Sequence, residues 1–296
     1  MKTAYHILLC LRPNQWIKNG FILAPLVFAH RIFHYPSLLK GLAAFAIFCL
    51  LAGAVYMIND LFDLENDRRH PLKRKRPLAA GLVSIKVAGV TAAVLLLASF
   101  LWGGRLGLPF LLILFIYLLI QLLYNYRLKE AVILDIFCIS AGFFLRVIAG
   151  AVAIEAAVSY WLIICTILLA MFLALAKRRH EIVILGRRET ETEDFQKGLS
   201  KYSPYLLDQM MTVVSAASLL SYMLYCISPE TVKKFGSDHM IYSFPFVLFG
   251  IFRYLFLIQK NDKVGAPEKA LMTDWPLLLN VILWGLICIM IIYGVI

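Results

Sequence analysis

The sequence predicts an all-α fold, a polytopic bundle of nine helices that cross a membrane. The chain is 61% hydrophobic and only 16% charged, with a mean hydropathy of +0.80, whereas a soluble domain is about half apolar and about a quarter charged. Its apolar runs repeatedly reach the roughly 20 residues needed to cross about 30 Å of hydrocarbon. No polar stretch is long enough for a soluble domain of its own. We therefore expect one membrane domain over residues 1–296.

The predicted spans are nine apolar runs separated by charged or turn-forming residues. The first run is the shortest, and Pro25 interrupts it. In chain order the predicted spans are 16–30, 41–61, 85–103, 107–125, 132–152, 158–176, 206–227, 240–259 and 275–295.

The distribution of cations predicts the orientation of these spans, because cytoplasmic segments of membrane proteins are rich in lysine and arginine. With the N-terminus in the cytoplasm and the C-terminus outside, most of the 29 lysine and arginine residues lie on the inner side. The net charge of +11 therefore reflects orientation in a cell (inner) membrane, and it gives no argument for nucleic-acid binding. The two long inner loops, about 62–84 and 177–205, carry most of the ionisable residues, so a site built from them opens to the cytoplasm.

Three aspartates follow the second apolar run, and they are the first candidate for chemistry. If the helix continues, Asp60, Asp63 and Asp67 are spaced i, i+3, i+7 and lie within about 60° on one helix face. Acidic residues at a helix C-terminus oppose the helix dipole, so their presence there needs a reason. Mg²⁺ takes one or two carboxylates together with phosphate oxygens. The spacing therefore predicts a Mg²⁺ site, although an ordinary helix end entering water is the alternative.

A block of six cations follows the aspartates, from Arg68 to Arg76. A basic cytoplasmic loop is common in membrane proteins. Its position directly after three carboxylates favours binding of phosphates by charge-assisted hydrogen bonds. Lys73, Arg74 and Arg76 are the candidates, together with Asn59 beside the first aspartate.

Further polar residues lie in or beside the other spans. Asp135 and Arg146 are 11 residues apart within the fifth span, which places them on one face about 16 Å apart. Ionisable groups inside a span are costly and usually mark function, although a structural ion pair is the alternative. The remaining candidates are cytoplasmic or line the first span, and they are Lys18, Tyr124, Arg127, Lys129, Lys177 and Arg178.

Several sequence blocks resemble a known family, the UbiA superfamily of membrane prenyltransferases. The block NDLFDLENDRRHPLKRKRP from Asn59 to Pro77 has the acidic motif of that superfamily. LRPNQWIKN, YNYRLK, GFFLRVIAGAVAIE and FLALAKRRHE are similar to the branch of decaprenyl-phosphate phosphoribosyltransferases. In one respect the chain departs from the superfamily, because Asp135 stands alone where a second DxxxD cluster is expected.

The resemblance implies transfer of the 5-phosphoribosyl group of phosphoribosyl pyrophosphate (PRPP) to a polyprenyl phosphate, with release of pyrophosphate, in cell-wall biosynthesis. It implies that Asp60, Asp63 and Asp67 hold Mg²⁺, and that Asp135 binds metal or a ribose hydroxyl. It also implies that Lys18 orients the acceptor phosphate. A homo-oligomer is compatible with the sequence.

Two other functions remain open at this point. A prenyltransferase would move a prenyl group from a prenyl diphosphate to an aromatic acceptor, which requires fewer cations than a ribose phosphate does. A transporter or lipid-binding protein would place its charges near the membrane midplane on broken helices. Here most charges lie at the cytoplasmic rim, which favours an enzyme.

Overall fold

The computed structural model describes residues 2–69, 73–157, 159–186, 202–260, 270–271 and 273–295. These residues form helices and turns, with no β-strand among them. In chain order the α-helices are α1 (Lys2–Cys10), α2 (Ala24–Phe28), α3 (Tyr35–Phe62), α4 (Leu64–Arg69), α5 (Ile85–Gly104), α6 (Leu108–Tyr126), α7 (Leu134–Ala153), α8 (Tyr160–Gly186), α9 (Pro204–Ile227), α10 (Pro229–Phe235), α11 (Phe244–Lys260) and α12 (Trp275–Ile292). Shorter 3₁₀ segments cover Pro13–Leu23, Lys73–Lys75, Leu128–Glu130 and His239–Ser243.

Eight helices in the described part of the chain are long and apolar enough to cross a membrane. The all-α membrane fold is thus confirmed, and the count of nine spanning α-helices is wrong at the first predicted span. That segment is a 3₁₀-helix over Pro13–Leu23 followed by the five-residue α2. A proline lies at the start of each piece, Pro13 as the first residue of the 3₁₀-helix and Pro25 as the second residue of α2, and proline cannot donate an intrahelical hydrogen bond. Since a 3₁₀-helix rises about 2.0 Å per residue, its 11 residues still extend roughly 22 Å.

The described chain divides into two compact units, and each has its own core. The first unit comprises Met1–Tyr126 and Leu145–Ala157, and the second comprises Arg127–Phe144 and Val158–Ile296. The division falls within α7. The prediction of a single membrane domain stays a prediction.

Helix α3 is the central helix of the first unit. Side chains from Ile47 to Met57 are almost all buried, which leaves little of this helix for lipid. The 3₁₀ segment packs against Gly150 on α7, where an added Cβ would lie 1.9 Å from the carbonyl oxygen of Ile22. Only glycine allows two backbones to approach so closely, as is common between membrane helices.

Helices α5 and α6 of the first unit present apolar side chains on their outer faces. Val90, Val94, Leu97 and Leu101 are each more than half exposed, at intervals that place them on one face of α5. A stripe of this size would be a binding or aggregation surface on a soluble protein. In a membrane protein it faces the hydrocarbon of the bilayer.

The core of the second unit lies between α8 and α9, with side chains added from α11 and α12. Phe172 and Tyr254 pack edge to face, with ring centroids 5.5 Å apart. Arg253 on α11 donates to both oxygens of Asp274, at 3.0 and 2.7 Å, and Asp274 also caps α12 by accepting from the N–H of Leu277. This ion pair therefore links two helices and explains the charge at Arg253.

Both predicted cytoplasmic loops contain helical structure. The 62–84 loop contains α4 and a 3₁₀ turn before Ser84 caps α5. Helix α8 continues ten residues into the predicted 177–205 loop and ends at Gly186. Residues 187–201 of that loop lie outside the described residues.

Candidate functional site

The acidic motif lies at the junction between α3 and α4 in the first unit. Asp60 is 3% exposed and Asp67 is 2% exposed, so both carboxylates are buried. Helical hydrogen bonding continues across the junction, because the N–H of Asp63 donates to Asn59 at 2.9 Å and the N–H of Asp67 donates to Asp63 at 2.8 Å. The three aspartates therefore keep helical spacing although α3 formally ends at Phe62.

Two arginines and a lysine lie against these carboxylates. The Nη1 atom of Arg76 donates to Oδ1 of Asp60 at 3.0 Å and to Oδ2 of Asp67 at 2.5 Å. A second guanidinium, that of Arg12, donates through Nη2 to the same Oδ1 of Asp60. The Nζ atom of Lys73 lies 4.0 Å from Oδ1 of Asp67. Two buried negative charges are thus compensated by three cations, as burial of carboxylates requires.

Arg12 reaches Asp60 because the chain turns sharply between α1 and the 3₁₀ segment. Arg12 has φ 52° and ψ 64°, in the left-handed region that a residue with a side chain rarely adopts. Its guanidinium carbon lies 5.0 Å from the centroid of the Tyr56 ring, one helical turn before Asp60. An arginine 48 residues away in sequence therefore becomes part of the acidic motif.

The carboxylates of Asp60 and Asp67 are ligands of the kind that Mg²⁺ prefers. Asp60 and Asp67 both contact one nitrogen of Arg76, so their oxygens lie close together. Mg²⁺ typically takes one or two carboxylates and completes its shell with water and substrate phosphates. In the described part of the chain no group of three or more His, Cys, Asp or Glu side chains is placed to hold a metal ion. Two carboxylates with cations beside them fit a metal that a phosphate ligand shares.

A second buried carboxylate lies in the second unit. Oδ2 of Asp135 accepts from Nε of Arg178 at 2.7 Å, and Oδ1 accepts from the hydroxyl of Tyr202 at 2.8 Å. The Tyr202 oxygen in turn accepts from the N–H of Ile133 at 2.5 Å. Ile133 has φ 72°, which is strained for a β-branched residue. The hydrogen bond from its backbone helps to hold that conformation at the start of α7.

Arg178, the cation of this cluster, is held by two carboxylates. Arg178 donates through Nη1 to Glu181 at 2.9 Å, and Nζ of Lys177 lies 3.8 Å from the same carboxylate. Burial raises the pKa of the Tyr202 hydroxyl to about 12, so it remains protonated and can donate to Asp135. The extension of α8 beyond the predicted span is what places Arg178 and Glu181 one turn apart.

Arg146 belongs to a different network, inside the first unit. It is 5% exposed, donates through Nε to Asn19 at 2.7 Å and donates through Nη2 to the hydroxyl of Tyr117 at 2.8 Å. Asn19 in turn donates to the sulfur of Cys49 at 3.3 Å. These bonds tie α7 to the 3₁₀ segment, α3 and α6. They give Arg146 a structural role, and its predicted contact with substrate stays a prediction.

Residues 20–273 of the chain match the model of the UbiA prenyltransferase family. The chain belongs to this family. It is 33% identical to the decaprenyl-phosphate phosphoribosyltransferase of Corynebacterium glutamicum, over 96% of this chain and 85% of that protein. It is 32% identical to the protein of the same name from Mycolicibacterium smegmatis, over 93% of this chain and 88% of that protein.

Two solved structures share the fold of this chain. A UbiA homolog from Archaeoglobus fulgidus bound to DMAPP and Mg²⁺ is similar with a TM-score of 0.72 over 97% of this chain and 99% of that chain, at 18% sequence identity. A structure of digeranylgeranylglyceryl phosphate synthase is similar with a TM-score of 0.67 over 99% of this chain and 100% of that chain, at 19% identity. The match to these chains confirms the UbiA-like helical bundle.

The other predicted site residues of this UbiA protein lie on 3₁₀ segments, near helix ends or in turns. Lys18 donates to the side chain of Gln15 at 2.5 Å on the 3₁₀ segment. Arg74 is exposed, whereas Asn59 and Asp63 are half-buried. Half-buried Tyr124 and Lys129 and exposed Arg127 lie at the end of α6 and in the turn that follows it.

Three functional candidates were missed by the sequence reasoning, and they are Arg12, Glu181 and Tyr202. Arg12 opens the RPNQWIKN block and precedes a proline that breaks the helix, but its sequence position does not indicate a contact with Asp60. Glu181 could have been found from its i, i+3 spacing to Arg178. Tyr202 is 67 residues from Asp135, and no local pattern signals their contact.

Proposed function

We propose that this UbiA family member is a membrane-bound phosphoribosyltransferase that moves the 5-phosphoribosyl group of PRPP to a polyprenyl phosphate. One observation carries the proposal: two buried carboxylates and three cations meet at the α3–α4 junction. Such a cluster suits a metal-bound diphosphate better than a neutral ligand. The activity named for relatives that match more than nine-tenths of the chain supports PRPP as the source of that diphosphate.

In the proposed reaction the bond between C1 of the ribose and the pyrophosphate oxygen breaks. A bond forms between C1 and an oxygen of the lipid phosphate, and pyrophosphate leaves. Positive charge develops on the ribose, and negative charge develops on the leaving oxygens. When bound, Mg²⁺ supplies Lewis-acid neutralisation of the leaving pyrophosphate. The acceptor phosphate is already anionic, so a strong general base is not required.

In this proposal the site residues of the first unit bind the leaving pyrophosphate and its metal. Asp60 and Asp67 would hold the metal, with Asp63 as the third member of the predicted set. Arg76 and Lys73 already lie beside these carboxylates and would hold the pyrophosphate oxygens, where fixed positive charge stabilises the transition state most. Exposed Arg74 would add to the same positive potential. Lys18 would orient the acceptor phosphate.

The residues of the second unit are assigned separately, from their own contacts. Asp135 is oriented by Arg178 and Tyr202, which suits a carboxylate that accepts from a ribose hydroxyl. Lys177, together with Arg127 and Lys129 of the preceding turn, would contact the ribose 5-phosphate. Burial of Arg178 between two carboxylates makes it a positioning residue for Asp135.

The membrane setting follows from the lipid substrate. The cation asymmetry supports a cytoplasmic N-terminus and a site that opens to the cytoplasm, where PRPP is soluble. The lipid tail would remain among the apolar side chains that α5 and α6 expose. An enzyme in the cell (inner) membrane is therefore expected.

The proposal is tested by pyrophosphate release from purified protein in detergent. PRPP, Mg²⁺ and a polyprenyl phosphate together should release pyrophosphate, and omission of the lipid or of Mg²⁺ should stop the release. Asp60→Ala and Asp63→Ala should abolish it. Glu65→Ala is the matched control, because Glu65 is an exposed acid on α4 that pairs with exposed Arg68. Release that requires a prenyl diphosphate and an aromatic acceptor instead would replace the proposal with prenyl transfer.

A further inference from the structure

Arg12 and Arg76 bond to the same oxygen of the acidic motif. Both guanidiniums donate to Oδ1 of Asp60, while the carboxylates themselves are almost fully buried. Arg76 also holds Asp67, whereas among the described residues Arg12 forms an ion pair with Asp60. Of the cations at this junction, Arg12 is the one that arrives from a distant part of the chain.

This arrangement opposes the entry of a free divalent cation. A doubly charged ion at Asp60 would lie within a few ångströms of Arg12 and Arg76, and like charges repel strongly where the carboxylate is shielded from water. A divalent ion that carries a diphosphate brings a net negative charge. The same guanidiniums would then attract the incoming complex, because phosphate oxygens are strong acceptors for arginine.

We infer that Arg12 makes the site select the metal–diphosphate complex over the free metal. In this inference, which rests on the proposed function, Arg12 compensates Asp60 while no substrate is bound. The guanidinium of Arg12 would then exchange its hydrogen bond to Asp60 for one to a diphosphate oxygen when the complex binds. Arg12 is thus a substrate-binding residue that contacts the diphosphate leaving group.

The local structure suits Arg12 to this exchange better than it suits Arg76. Arg76 bridges Asp60 and Asp67, so its movement would uncover both buried carboxylates. Movement of Arg12 would release one carboxylate, that of Asp60. The face of the Tyr56 ring lies 5.0 Å from its guanidinium carbon and would continue to hold the cation after the carboxylate is released.

Two binding measurements on the full-length protein in detergent test the inference without any turnover. Binding of Mn²⁺ alone is followed by the electron paramagnetic resonance of the free ion. Binding of radiolabelled pyrophosphate is measured separately at saturating Mn²⁺. Arg12→Ala should bind Mn²⁺ alone on the order of tenfold more tightly, and should bind pyrophosphate with Mn²⁺ on the order of tenfold more weakly. Arg12→Lys, which keeps the charge, should lie near the wild type in the first measurement.

Lys40→Ala is the matched control. Lys40 is a cation on the same helix as Asp60, at its other end, and it pairs with exposed Glu155. Twenty residues of helix separate it from Asp60 by about 30 Å, so its removal should change neither affinity.

Opposite shifts in the two affinities would support the exchange, since a loss of folding would weaken both. If Arg12→Ala melts as the wild type does, a shift of both affinities in the same direction, or no shift, would overturn the role of Arg12 while leaving the metal site standing. Wild-type protein that binds neither Mn²⁺ nor its pyrophosphate complex would overturn the proposed metal site and this inference together. Unchanged melting temperatures of Arg12→Lys and Lys40→Ala would show that the comparison is between folded proteins.

Discussion

Removal of the Tyr202 hydroxyl in the second unit should show how much its hydrogen bond to Asp135 contributes to stability. Tyr202→Phe deletes the donor to Asp135 at 2.8 Å and the acceptor for the N–H of Ile133 at 2.5 Å. The ring itself is retained, so its packing in the core between α8 and α9 is unchanged. The expected effect is therefore that of two hydrogen bonds alone.

The two bonds differ in strength. A hydrogen bond to a charged group contributes about 1.5–3 kcal/mol, and an ordinary backbone bond contributes about 1 kcal/mol. The bond from Ile133 also stabilises a residue with φ 72°, and such strain costs on the order of 1–3 kcal/mol unless its surroundings support it. We expect Tyr202→Phe to lower the free energy of unfolding by about 2–4 kcal/mol.

The assay is the melting temperature in detergent, together with turnover. Tyr205→Phe is the matched control, because Tyr205 is exposed and its hydroxyl accepts from exposed Gln209. Tyr202→Phe should melt several degrees lower than the wild type and turn over more slowly, while Tyr205→Phe should match the wild type in both. Equal melting temperatures for the two variants would refute the role of Tyr202 in holding Asp135.

Two further predictions concern packing and charge. Gly150→Ala should destabilise the protein severely in a thermal melt, because its Cβ would lie 1.9 Å from the backbone oxygen of Ile22, whereas Gly89→Ala on α5 meets nothing within 4 Å and should be neutral or slightly stabilising. Asp274→Asn keeps the helix cap and removes the charge that pairs with Arg253, so it should lower the melting temperature at pH 7. The hydrogen bond from Arg253 lowers the pKa of Asp274, so the pair stabilises the fold above the unfolded pKa of about 3.9 and is lost as pH falls through the folded pKa. The difference between variant and wild type should therefore shrink below about pH 3.9, and a difference that is independent of pH would contradict the assignment.

The spans were predictable from sequence because hydropathy and length dominate the energetics of a membrane helix. Helices α5, α6, α9 and α12 begin within two residues of their predicted starts. The prediction of an α-helix at the first span is wrong, because an apolar composition does not distinguish an α-helix from a 3₁₀-helix. Pro13 and Pro25 indicate breaks, but they do not predict 3₁₀ geometry between them.

The predicted end of α8 is too early for a different reason. Its last turns carry Lys177, Arg178 and Glu181, and a polar composition after an apolar run is typical of a loop. In the structure these side chains pair at i, i+3 and i+4, which stabilises a helix in water.

The acidic motif was predictable as a motif, and its partners were only partly predictable. Arg76 and Lys73 follow the aspartates closely in sequence, so charge complementarity indicated them. Arg12 and Tyr202 reach their carboxylates across 48 and 67 residues of chain. Contacts of that range depend on the packing of helices, which a single sequence does not reveal.

The proposed reaction is tested most directly by finding whether the group added to the lipid comes from PRPP. Purified protein in detergent is given Mg²⁺, a polyprenyl phosphate and PRPP labelled in the ribose, and the label in the organic phase is measured with the mass of the lipid product. The proposed transfer predicts that the label enters the lipid, that the product carries one added phosphoribosyl group, and that Asp60→Ala forms none. Label that remains in water, while a prenyl diphosphate and an aromatic acceptor are converted, would contradict it.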